Sequence, residues 1–160
     1  MVSTVTAVAG IIAATGYTAS TAVQVAGLQR QTEPSAGLLW SLMLPSLLLH
    51  GYVLLTLIGT PEGLNLNLFT SASLVSWVMV CFLLFSSLRA AIHNLLLLVA
   101  PLAALSIVLE LSFEAAYQPI ASPAQPLIWH ILLSIAAYSI LFMAACQSVL
   151  LAVLDDRLRN

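Results

Sequence analysis

Three polar side chains recur one helical turn apart in an uncharged stretch late in the chain: His130, Ser134 and Tyr138, within residues 127–154. Residues four apart share a helix face, so the three form a stripe. The small residues Ala137, Ala144 and Ala145 lie close to that stripe, and Leu132, Leu133, Ile140 and Leu141 fill the rest. Such a stripe is expected to face inward. An ionisable group inside an apolar helix is costly and therefore marks a candidate site. A neutral imidazole is a good metal ligand, and its plain alternative is a hydrogen bond to a backbone carbonyl. His50 has the same pair of readings, with Ser46 one turn away to orient it. Glu110 is open to three: a proton-relay carboxylate, a partner for His130, or a group close enough to its helix end to reach water. Ser73 and Trp77, four apart, share one face of a further helix. Trp129 sits at the depth of an interfacial aromatic belt. His93, beside Arg89, is read as a solvated turn residue.

The elements that must carry these groups are membrane helices. Of 160 residues 61% are hydrophobic and only 6% charged, against about 25% charged in an ordinary soluble domain. The fold class expected is an all-α, polytopic membrane helix bundle with five transmembrane helices, at about 2–27, 37–59, 68–88, 95–113 and 127–154, forming a single transmembrane domain. The first span is Ala/Thr/Gly-rich. Its small pairs (Ala9 with Ala13, Gly10 with Ala14, Ala22 with Ala26) favour close helix packing. Pro45 in the second span removes a backbone bond near Ser41, and the Ser41 or Ser46 hydroxyl is expected to help satisfy what it frees. Polar loops are expected at 28–35, 60–67 and 114–125, the second carrying a Thr60-Pro61-Glu62-Gly63 turn.

Several function classes drop out. There is no lysine and there are four arginines, too few for a nucleic-acid or anionic-lipid surface. Cys81 and Cys146 are 65 positions apart without metal or redox spacing, and read as small core residues. No Ser/His/Asp set, phosphate loop or H-E-x-x-H occurs, so no enzyme activity is expected. With five spans, Arg30, Arg89, Arg157 and Arg159 fall on one side, while Glu62 and Glu114 fall on the other. The arginine side is expected to be cytoplasmic, with the N-terminus outside. His130 then lies three residues, roughly 5 Å, inside the outer surface, and His50 nine residues, roughly 14 Å. That difference points to separate roles.

Two segments carry a family resemblance. Asn65-Leu66-Asn67-Leu68-Phe69 followed by Leu74-Val75-Ser76-Trp77, and the run from Trp129-His130 through Ser134 to Tyr138, resemble the cytochrome c assembly membrane proteins. This is the haem-handling superfamily of the CcsA, CcmC and HemX types, and the likeness is greatest to its YpjD-type inner-membrane branch. It covers nearly the whole chain, more loosely over the first helix, and matches the family's N-terminal five-helix portion. The later helices, with their tryptophan-rich loop and second outer histidine, have no counterpart among these residues. The resemblance implies a protein of the bacterial inner membrane that binds haem near the outer face. Its implied iron ligand is His130, with Ser134 and Tyr138 matching the serine and tyrosine that follow it. His50 is a second candidate ligand, and Trp77 a candidate to stack on the porphyrin. Expected partners are haem, membrane lipid, and apocytochrome c or other assembly subunits. A homo-oligomer is expected as well, because the polar face of helix five lacks the family's later helices. Two other readings stand beside this one: a cofactor-free membrane scaffold or regulatory subunit, and a proton or ion pathway using His50 and Glu110.

Overall fold

The computed structural model describes residues 2–87, 93–113 and 119–159. Arg89 and Glu114, which enter the orientation argument, lie outside the described residues, as does the start of the 89–94 connection. The elements in chain order are α1 (Thr4–Arg30), α2 (Ala36–Ile58), β1 (Gly59–Thr60), β2 (Gly63–Leu64), α3 (Leu68–Ser87), α4 (His93–Ser112) and α5 (Gln125–Arg159). Each of the five helices is long and apolar enough to cross a membrane.

Short polar residues set the helix starts. Ser3 Oγ accepts from the Thr6 N–H, Ser35 Oγ from the Leu38 N–H, and Asn67 Oδ1 from the N–H groups of Phe69 and Thr70 at 2.9 and 3.0 Å. α1 runs on past the expected stop at Gly27. The turn comes at Gln31 (φ 53°), where the Thr32 N–H returns to the Gly27 carbonyl at 3.0 Å, so the polar loop is shorter than its composition suggests. α1 also solves its weak hydrophobicity locally: Thr15, Thr18 and Thr21 each donate to the carbonyl four residues back. α2 and α4 continue through Pro45 and Pro101. The hydroxyls near Pro45 do not serve as expected. They are donors, and they are spent on the carbonyls of Leu38 and Leu42.

α1 to α4 form a closed four-helix core, each packed on two neighbours in the order α1, α2, α3, α4 and back to α1. Its apolar part is built from Met43, Met79, Val80, Leu83, Leu96 and Val99, all fully or almost fully buried. One end is capped. β1 and β2 pair as a two-residue hairpin, and Leu64 bridges to Ile120, tying the α2–α3 connection to the α4–α5 connection. Gly63 is needed there. Its φ is +135°, and a Cβ would collide with the Ile120 carbonyl oxygen.

α5 stands outside this core, docked on α3 and touching α4 lightly. Among its described side chains only Ser139 is fully buried, donating to the carbonyls of Ile135 and Val75. The inward stripe runs through Ile128, Ile131, Ile135, Ser139, Met143 and Cys146, one residue away from the expected stripe. Since one residue is about 100° of helix rotation, His130 and Tyr138 point outward instead of into the bundle. That corrects the expectation of an inward-facing polar stripe.

Candidate functional site

Five buried polar side chains meet near the axis of the core toward the capped end, and all four helices contribute. α1 supplies Tyr17, α2 His50, α3 Ser73 with Thr70, and α4 Glu110. Tyr17, His50 and Ser73 are 0% exposed and Glu110 is 7% exposed. Periodicity puts them there. Ala9, Ala13, Tyr17, Ser20, Gln24 and Gly27 form the inward stripe of α1, and Thr70, Ser73, Ser76, Val80 and Leu83 that of α3.

His50 is the hub. Its Nε2 lies 2.9 Å from Ser73 Oγ, and its Nδ1 lies 3.5 Å from the Tyr17 hydroxyl, with the two rings edge to face at 5.9 Å. Both imidazole nitrogens are thus occupied by groups from other helices. Ser46, the expected partner, instead donates to Leu42 and faces Gly16 of α1. Beyond Ser73 comes Glu110. The Ser73 and Thr70 hydroxyls face its carboxyl group, yet neither forms a hydrogen bond of ordinary distance and angle, and both carboxylate oxygens are buried without a partner. Of the three readings for Glu110, contact with water and pairing with His130 are therefore not what the structure has. A second polar contact, Ser76 Oγ to Ser106 Oγ at 2.7 Å, joins α3 to α4 alongside.

Trp77 belongs to the wall of this site. Its indole lies against Gly51 and its Nε1–H donates to the Leu47 carbonyl at 2.9 Å, clamping α3 onto α2. His130, Ser134 and Tyr138 form a separate constellation on α5. His130 and Tyr138 are exposed, Tyr138 by 65%, and Ser134 is half-buried. None of the three makes a hydrogen bond among the described residues, whereas Ser139 and Ser148 on the same helix satisfy theirs on its carbonyls. The two histidines do not converge on one place: His50 is enclosed and His130 lies on the outside. Between α3, α4 and α5 an apolar cleft of about 370 Å³ is lined by Val75, Met79, Leu105, Leu109 and Phe142. Among the described residues no three His, Cys, Asp or Glu side chains cluster as metal ligands.

Sequence reasoning passed over Tyr17. The signal was present, since Tyr17 is the one large side chain on a stripe of alanine, glycine, serine and glutamine at spacings of three and four. No family model matches the chain, and neither does a curated protein or a solved structure.

Proposed function

We propose that this is a multi-pass protein of the bacterial inner membrane, C-terminus cytoplasmic, that handles haem during cytochrome c assembly, with His130 as the iron-ligating side chain. The observation that carries the reading is the unpaired polar stripe on α5. An exposed imidazole and phenol, with a half-buried serine between them and no hydrogen-bond partner among the described residues, are costly in a bilayer, so something covers them. The donor set would suit a haem: the His130 imidazole would hold it, Ser134 and Tyr138 one and two turns away would fix its orientation, and Leu133 beside them would be an apolar wall. A bound haem would supply a redox-active iron. The chain supplies a rigid helix that presents that imidazole at the capped end, where a partner protein can approach. His50 and Trp77 are not placed to hold the same haem, because their polar atoms are already engaged inside the core.

The same engagement favours a second reading, a cofactor-free scaffold whose α5 stripe is covered by another protein or another copy. The visible spectrum of the detergent-purified protein separates the two. A Soret band that shifts on reduction, that is lost in His130→Ala and partly restored by imidazole, supports haem. A colourless protein, or a His130→Ala variant with an unchanged band, moves the scaffold reading ahead.

A further inference from the structure

We propose that Glu110 and His50, joined through Ser73, hold one exchangeable proton at the axis of the four-helix core, independently of any haem on α5.

The geometry begins with a deficit. Glu110 has two buried carboxylate oxygens and no hydrogen-bond partner among the described residues. No arginine or second acidic side chain from the described helices is buried beside it, and an unpaired charge in a bundle interior is neutralised in preference to being kept. A proton on Glu110 removes the deficit. The carboxyl O–H then donates to Ser73 Oγ, the Ser73 O–H donates to His50 Nε2, and the His50 Nδ1–H donates to the Tyr17 oxygen, while the second carboxyl oxygen accepts from Thr70. In this arrangement both Glu110 oxygens, the Ser73 hydroxyl and both His50 nitrogens have partners.

The same atoms provide a second arrangement with no change in composition. The Glu110 O–H bond breaks as an O–H bond forms on Ser73, and the former Ser73 O–H bond breaks as an N–H bond forms at His50 Nε2. The result is a carboxylate and an imidazolium separated by one hydroxyl. No electron changes centre and one proton has moved. The other titratable groups facing this chain are Tyr17 at Nδ1 and Cys81 of α3 near Tyr17. Cys146 of α5 packs on the apolar core, and Glu62 of the hairpin is exposed.

The site is one-sided. Glu110 lies within the last turn of α4, beneath the hairpin, whereas Met43, Met79, Val80, Leu83, Leu96 and Val99 close the core on the other side of Tyr17. Ser20 and Gln24, which lie farther along α1, bond to each other and carry no exchangeable acid. A proton enters from the capped end and goes no further, so the chain stores a proton and does not conduct one.

A membrane-permeant carbodiimide, which reacts with protonated buried carboxyls, tests this on the full chain in detergent or proteoliposomes at neutral pH. Mass mapping should find the adduct on Glu110, and infrared spectra should show a protonated-carboxyl band that shifts in heavy water and disappears in Glu110→Gln. Adding sodium at constant pH should leave the labelling unchanged; protection by sodium would make this a cation site and overturn the proposal. Absence of both adduct and band would overturn it too. The sharing is read by nitrogen NMR of labelled histidine, with His50 assigned through His50→Gln. Its resonances should move in Glu110→Gln and in Ser73→Ala, and unchanged resonances in both would disconnect the two residues.

Discussion

The imidazole of His50 is held by partners from α1 and α3, so its replacement does more than open a cavity. His50→Ala leaves the Tyr17 and Ser73 hydroxyls buried without their shared partner, at a cost of about 1–3 kcal/mol. Measured by reversible unfolding in mixed micelles, it should destabilise clearly more than His130→Ala, whose ring has no hydrogen-bond partner among the described residues. Glycines give a sharper contrast. A Cβ at Gly51 would sit 3.1 Å from Trp77 Nε1, while at Gly37 it meets nothing within 4 Å. Gly51→Leu should therefore break the Trp77 clamp and cost on the order of 1–3 kcal/mol from overpacking, and Gly37→Leu should be silent. At this scale the sequence identified His50, Glu110, Ser73 and Trp77 as residues to weigh, but gave His50 the wrong partner in Ser46. Spacing reveals neighbours on one helix only: Ser46 was visible beside His50, whereas Tyr17, 33 positions away, becomes a neighbour only when the helices pack.

The helices themselves were legible because each is a long apolar run between turn-forming residues, and their observed bounds differ from expectation mainly at α1 and α5. What hydropathy could not set is rotation. α5 is apolar around most of its circumference, so its docking face is decided by the fit of Ile135 and Ser139 against α3 and not by a polar contrast. The consequence is testable by a pair of substitutions one residue apart. Ser139→Leu forces a larger side chain into a fully buried position and should release α5 from α3, at about 1–3 kcal/mol. Tyr138→Leu should leave docking unchanged. Cross-linking between introduced cysteines on α3 and α5 measures both, and equal effects would mean that α5 docks by another face.

For the molecule as a whole, the hairpin bridge fixes a relation that the arginine count only suggested. Leu64 and Ile120 pair, so Glu62 and Ser122 belong to the same end of the bundle, with Glu33 at the other. In a background lacking Cys81 and Cys146, single cysteines at Glu62 and Ser122 should label together with an impermeant thiol reagent in intact cells, while one at Glu33 should be protected. Reversal of the pattern would invert the bundle, and labelling of all three would remove the membrane reading. Gly63→Ala should loosen this cap, since a side chain at φ +135° collides with the Ile120 carbonyl, and proteolysis at residues 119–124 should then accelerate.

The arrangement of a closed core with one helix outside also bears on how the chain is made. Tyr17, His50, Ser73 and Glu110 all belong to helices that are synthesised before α5, and domains generally assemble from the N-terminus as they emerge. The costly polar groups of the interior can therefore find one another while the ribosome is still translating, without waiting for α5. α5 then meets a surface that is already formed, and the polar stripe it carries is settled after those interior contacts are made.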